Sequence, residues 1–239
     1  MADFQTRTYG ASAGLAIDAG LRAYMNKIYG LMSVAMLVTG GVAWSVGTSP
    51  AMVGAIFGSP LKWVVMIAIF VMSIALPAMV NRMSVAAAQL AFYAYAALFG
   101  VFMSMIFVIY TQASIAETFL VTAIAFAGLS IYGYTTKKDL SAMGSFMLMS
   151  VWGLIVAGIV NMFMQSSALN FAISAFGVIV FAGLTAWDTQ KLKSDYIAHA
   201  RAGDEEWIGK SAVLGALNLY LDFINMFLYL LRFMGNNRN

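Results

Sequence analysis

The chain has 239 residues, 62% of them hydrophobic and only 10% charged, with a mean hydropathy of +0.84; a soluble domain carries roughly 25% charged residues, so the composition is that of a polytopic membrane protein. There is no cysteine, and the one histidine, His199, lies in a polar stretch, which excludes disulfides, thiol nucleophiles, thiolate metal sites, multi-histidine metal centres and histidine-based catalysis inside the membrane. The net charge of +3 comes mainly from connecting segments and reads as a topology signal, with no nucleic-acid partner implied.

Residues 1–27 contain no apolar core of signal-peptide length and are expected to form a cytoplasmic N-terminal segment. Within it Ile17, Leu21, Tyr24 and Ile28 recur at helical spacing while Asp18 and Arg22 point elsewhere, which predicts an amphipathic helix lying on the inner membrane surface. Apolar windows of spanning length, about 20 residues, follow at 28–47, 61–80, 86–110, 114–134, 143–164, 168–188 and 212–234. Residues 28–239 are therefore expected to be an all-α integral membrane domain of seven transmembrane helices. Pro77 should kink the second span, because it removes a backbone donor and crowds the preceding turn. Glu117 reads as a first-turn residue of the fourth span, matched to the helix dipole. The stretch from Thr189 to Ser211, with "GDEE" in it, reads as the one sizeable polar loop.

Arg7, Arg22, Lys27, Arg82, Lys137, Lys138, Lys191, Lys193, Arg201 and Lys210 fall on one side of this arrangement and Lys62 on the other. The positive-inside rule then places the N-terminus in the cytoplasm and the C-terminus outside, with Arg232 and Arg238 against the rule. Full crossing of the last segment and re-entry to the cytoplasm both fit.

The chemistry concentrates in "LNLYLDFINMFLYLLRF", Leu217 to Phe233, apolar enough to span yet carrying Asp222 between two asparagines. Gly215, Asn218, Asp222, Asn225, Tyr229 and Arg232 follow at steps of three and four and share one face. Lipid solvates neither an amide nor a carboxylate, so this face is expected to look into the bundle or a water-filled cavity, which makes the C-terminal helix the central one. Asn218 and Asn225 either bond to neighbouring helices or line a polar path with Tyr229. A second acid, Asp188, sits at the cytoplasmic end of the sixth span in "GLTAWDTQKLK". The two acids can meet if the sixth helix continues past Lys191; otherwise Asp188 is an end-of-helix aspartate in solvent. Two carboxylates in one dry site resist ionising together, so such a pair is a proton-sensitive switch. Arg82, on the same side, could pair with whichever aspartate is ionised or serve as an ordinary positive-inside anchor. The 18 methionines read as packing, and the Tyr and Trp near span ends as interface belts.

"GLTAWDTQKLK", "LNLYLDFINMFLYLLRFMG" and "YGYTTKKDLS" at Tyr132–Ser141 together resemble the transmembrane Bax inhibitor motif family, in its bacterial inner-membrane branch, over essentially the whole chain. The resemblance implies a seven-helix fold with the last helix in the centre, and a pH-sensitive calcium leak. It implies that Asp188 and Asp222 are the paired aspartyl sensor and gate, with transient calcium contact, and that Arg82 is the basic latch. An acidic residue that some members carry in the second span has no counterpart in "KWVVMIAIFVMSIALPAMV", which weakens the transfer of cation selectivity. No resident cofactor is implied.

The alternative function is a regulatory protein that binds a membrane protease complex through residues 1–26 and the Thr189–Ser211 stretch, as some bacterial relatives are linked to such a protease. An intramembrane aspartyl protease would also use paired aspartates. The Gly-x-Gly that precedes the second acid in those enzymes is absent from "LNLYL", so no enzymatic activity is expected.

Overall fold

The computed structural model describes residues 2–200 and 205–238, and side chains for 17–199 and 206–238. Among them the helices in chain order are α1 Ala2–Gly47, α2 Pro50–Phe57, α3 Leu61–Met79, α4 Val85–Met103, α5 Ile106–Ile109, α6 Gln112–Thr135, α7 Ser141–Met164, α8 Ser167–Ala200 and α9 Glu205–Met234. Seven are long and apolar enough to cross a membrane, while α2 and α5 are short pieces within connections. No strand occurs among the described residues, only an isolated bridge between Tyr110 and Asn237.

Local chemistry sets the boundaries. Ser49 accepts from the Met52 N–H at 3.4 Å, Ser84 from Ala87 at 3.2 Å and Thr111 from Ser114 at 3.3 Å, so α2, α4 and α6 each begin on a hydroxyl cap. Pro50 supplies a first helical residue that has no N–H to leave unpaired. α7 stops at Gln165, whose φ of 50° is left-handed, and the Asn161 side chain accepts from the Ser166 N–H at 3.0 Å to close that turn. α3 ends two residues after Pro77 and passes into a 3₁₀ turn over Val80–Arg82.

α9 is the centre of the bundle, packed on α8, α1, α6 and α4. Its most enclosed anchor is Tyr220, fully buried, whose ring meets Phe92, Tyr95 and Phe99 of α4 edge to face at 5.6–6.4 Å. The Tyr220 hydroxyl lies 2.8 Å from Thr39 Oγ1, which lies 2.9 Å from the Ala96 carbonyl oxygen. One side chain thus fastens three helices, and its polar atom is satisfied inside, as an apolar medium demands. α3 leans on α4 and α7 on α8; they present Trp63, Phe70, Trp152 and Phe163 outward. Apolar side chains on the periphery are what a hydrocarbon solvent selects.

Several expectations change. Residues 17–28 continue α1 without a break, and Leu21, Tyr24 and Ile28 are buried against protein. Tyr24 stacks on Tyr196 of α8 at 5.0 Å and its hydroxyl lies 3.0 Å from Ser211 of α9, so the amphipathic spacing marks a helix partner and not a membrane surface. Residues 1–16 lie outside the described side chains. The Thr189–Ser211 stretch is not a long loop, since α8 runs to Ala200 and α9 starts at Glu205; residues 201–204 lie outside the description. Glu117 stands in the second turn of α6 and is exposed. α9 is one unbroken helix that does not re-enter. The residues after it are tied down by the Arg238 N–H donating to Ile109 O at 2.8 Å and the Asn236 N–H to Ser114 Oγ at 2.9 Å. That junction lies at the end of the bundle opposite the basic loops.

Gly100 of α4 lies where a Cβ would stand 2.7 Å from the Thr39 carbonyl oxygen and 2.9 Å from Val42. Gly158 of α7 has nothing within 4 Å of that position. Gly100→Ala is expected to cost about 1–3 kcal/mol through overpacking, and Gly158→Ala nothing. Thermal unfolding of the two variants in detergent, followed by size-exclusion chromatography, checks the contrast.

Candidate functional site

α8 and α9 run antiparallel. Phe181 stacks on Tyr229 at 5.8 Å, Leu192 lies over Gly215, and between these contacts Asp188 meets Asp222. The two carboxyl groups adjoin each other. Asp188 is half-buried, Asp222 is 5% exposed, and Asp222 Oδ2 is buried with no hydrogen-bond partner among the described residues. Two carboxylates placed side by side in a shielded site resist ionising together. The structure thus brings together the two acids that the sequence singles out, because α8 continues three turns beyond Asp188.

Small residues let the neighbouring helices reach the pair. A Cβ on Gly133 of α6 would strike the Ala186 carbonyl oxygen, and one on Gly144 of α7 would strike the Trp187 ring. Lys191 is the cation acting on Asp188, and its ammonium lies 5.1 Å from the Trp187 ring centre. The α6–α7 connection is bound to the same turn of α8. Gln190 accepts from the Leu140 N–H at 2.8 Å and donates to Lys138 O at 2.7 Å, and Lys193 donates to Tyr134 O at 2.7 Å. Sequence reading gave Gln190 no role and Lys193 only that of a positive-inside charge. The available signal was that "YGYTTKKDLS" and "DTQKLK" are both polar and close neighbouring spans at the same, basic end: polar side chains one turn beyond an acid find partners in a nearby connection.

Asp139, in that connection and outside the spans, accepts from Ser141. The Ser141 side chain and then its backbone N–H, 2.9 Å from Oδ1, hold the carboxyl below its ordinary 3.8. Its contribution is therefore present above that value and lost as pH falls through the lower folded value. Asp139 stays ionised throughout the neutral range.

The polar stripe does not form a single interior path. Gly215 and Asp222 are buried and Asn225 and Tyr229 half-buried, while Asn218 and Arg232 are exposed. Steps of three and four average 3.5 residues against 3.6 per turn, so the six positions fan over roughly 100° of the helix. One edge faces α8 and the other leaves the contact. Asn225 donates to its own Leu221 carbonyl at 2.8 Å, Tyr229 packs on Gly177, and Arg232 sits 5.8 Å from the Tyr229 ring. Arg82 is exposed in the 3₁₀ turn and forms no ion pair with either acid; among the described residues the one ion pair is Lys210–Glu206 at 2.7 Å. Lys210 also donates to Asn81 O at 3.0 Å, so it is Lys210 that ties the α3–α4 turn to α9. Among the described residues no three acids or histidines gather as a metal cluster.

Seven apolar helices, the last of them central and carrying a buried carboxyl group, define a polytopic α-helical membrane protein. Residues 21–239 match the family described as "Inhibitor of apoptosis-promoting Bax1", and the chain belongs to this Bax inhibitor family. It is 45% identical to the inner membrane protein YbhL of Escherichia coli (strain K12), over 92% of this chain and 94% of YbhL. It is 41% identical to a protein of Rickettsia prowazekii (strain Madrid E) over the full length of both, and 42% identical to one of Caulobacter vibrioides over 95% and 93%.

Gln190→Ala would leave the Leu140 N–H and the Lys138 carbonyl without their partner, a loss of about 1–3 kcal/mol where those groups stay shielded. The α6–α7 connection is expected to become several-fold more sensitive to trypsin at Lys137 and Lys138. Digestion of protein in detergent, read by mass spectrometry, checks the point.

Proposed function

We propose that this chain is a pH-sensitive calcium leak of the bacterial inner membrane, with its N-terminus in the cytoplasm and with Asp188 and Asp222 as the gate. The observation that carries the reading is the contact between those two carboxyl groups at the α8–α9 interface. The one-proton state joins the helices by a charge-assisted hydrogen bond, roughly twice as strong as a neutral one. Removing that proton places two negative charges in contact. For unit charges 4 Å apart at an effective dielectric of 20 the repulsion is about 4 kcal/mol, enough to shift a two-state equilibrium roughly a thousandfold. Adding a second proton exchanges the strong bond for a weaker neutral one. Either change loosens α8 from α9.

Calcium is cargo here and not a resident ion. It takes six to eight oxygens, whereas two carboxylates offer four, so water must complete the shell and contact with the pair is transient, as conduction requires. Lys191, which already faces Asp188, is the cation best placed to take up charge from the pair. Arg82 can act as a latch only after the α3–α4 turn moves toward α8. Among the described side chains Arg22, Lys27, Arg82, Lys137, Lys138, Lys191, Lys193 and Lys210 lie toward one end, against Lys62, Arg232 and Arg238 toward the other; that balance supports the orientation, and the likeness to an inner membrane protein supports the location.

Calcium flux in proteoliposomes across a pH series tests this reading. Flux is expected to pass through a minimum where the pair holds one proton and to rise about tenfold on further acidification. Asp188→Asn and Asp222→Asn, which keep a hydrogen bond but cannot titrate, should flatten the profile. Flux equal to that of protein-free vesicles, or an unchanged profile in both variants, refutes the gate.

A further inference from the structure

The calcium reading leaves a lateral cleft between α1 and α6 without a role. These two helices barely touch; the floor between them is α9. Two cavities of about 660 and 570 Å³ share Tyr29 and Phe126 and so form one groove, each within the ~300–1,000 Å³ of small-ligand sites. Its walls are mostly apolar throughout; the charged and polar side chains Arg22, Asn26, Ser130 and Tyr134 stand at the basic end beside Met25 and Ile131, and Met32, Ser33, Met36, Phe119, Ala123 and Phe223 lie further in. On α1, Arg22, Asn26, Tyr29 and Ser33 recur at steps of three and four, so one face of the helix looks into the groove.

Two observations point to an occupant. Ser130 is 5% exposed, lines the basic end, and its Oγ has no hydrogen-bond partner among the described residues. Arg22 is exposed there and forms no ion pair among the described residues, Asp18 one turn earlier included. A second cation, Lys193, lies 5.0 Å from the ring of Tyr134, which lines the groove. From Arg22 to Ser33 is about 16 Å along α1, close to half of the ~30 Å hydrocarbon core. The groove thus offers cationic and hydroxyl donors where one leaflet's headgroups would lie, and an apolar trough of one leaflet's depth beneath them.

We propose that this groove binds one anionic phospholipid, its phosphate on Arg22, an ester or phosphate oxygen taking the Ser130 hydroxyl, and an acyl chain laid along Met32, Met36 and Phe223. Arg holds phosphate through paired N–H donors, and the charge match selects an anionic headgroup over a zwitterionic one. The floor residue Phe223 follows Asp222 directly, so the lipid rests on the helix that carries the carboxyl pair. The site stands whether or not the chain conducts calcium.

The test is native mass spectrometry of the full-length protein in detergent, titrated with phosphatidylglycerol and with phosphatidylcholine of identical chains. One saturable phosphatidylglycerol is expected, with phosphatidylcholine held about tenfold more weakly. Arg22→Gln should weaken phosphatidylglycerol about tenfold, Ala123→Trp should block the apolar end, and Lys27→Gln, exposed on the same helix but off the groove, should change nothing. If one variant fails to fold, the other still carries the test, since the two fill opposite ends. Equal binding of the two lipids, equal losses from Arg22→Gln and Lys27→Gln, displacement of the lipid by inorganic phosphate, or a dimer in place of the lipid adduct would each overturn the proposal.

Discussion

A carboxyl pair in an apolar bundle constrains everything around it. Hydrocarbon offers Asp222 no solvation, so each of its polar atoms must find a partner within the protein or hold a proton. Asp188 supplies that partner only if α8 is still helical and still against α9 at that level. The rest of the basic end reads as the means to this. Leu192 rests on Gly215 one turn beyond, Tyr196 on Tyr24 and over Gly20 another turn on, and Gln190 and Lys193 bind the α6–α7 connection to the same stretch. Without that brace the polar end of α8 would have little reason to stay folded, and Asp188 would lie in open solvent.

The two faces of α9 are held by different physics. On one, Tyr220 is enclosed by Phe92, Tyr95 and Phe99 and bonded to Thr39, a contact that depends on shape and on hydroxyls that do not titrate near neutrality. On the other, the contact with α8 includes the Asp188–Asp222 pair, and the proposed gate makes its strength depend on their protonation. A change in protonation therefore acts on α8 and spares the α1–α4–α9 unit. α7 packs on α8 and on no other helix to a comparable extent, so it is free to travel with it. Rigid-body displacement of a packed helix pair against a fixed core is the shear type of conformational change.

The seven spans and the central place of the last helix were legible in the sequence because both follow from solvation. Apolar windows of spanning length mark the helices, and a carboxylate inside one must be enclosed. What was not legible came from helices that outrun their apolar windows. Residues 189–200 carry Lys191, Lys193, Asp195 and His199 and read as loop, yet Leu192 and Tyr196, four apart and in line with Asp188, give them a buried face. Residues 17–28 carry an equivalent stripe, and the two stripes pack on each other. Amphipathic spacing reveals that a face is buried but not by what, and near a membrane end lipid and protein are equally good candidates. Asn218 failed for another reason. It lies only about 40° round the helix from Asp222 and is exposed, while Asn225, further round the same way, is half-buried, so angular position alone does not decide what meets a neighbour at a given height.

Lys210 and Arg82 sharpen this distinction between pattern and partner. Both are basic, both lie at the same end, and the sequence favoured Arg82 because it stands alone between Lys62 and Lys137. The structure gives the structural tie to Lys210, which reaches Glu206 one turn back and the Asn81 carbonyl across the gap, and leaves Arg82 exposed one residue further on. A lysine that rises from the first turns of α9 has its stem braced by the helix and its ammonium at the level of the α3–α4 turn. An arginine within that 3₁₀ turn has no such support and points away. Isolation in sequence therefore says little about which cation is engaged. The helix that presents the side chain, and the carbonyl within its reach, decide.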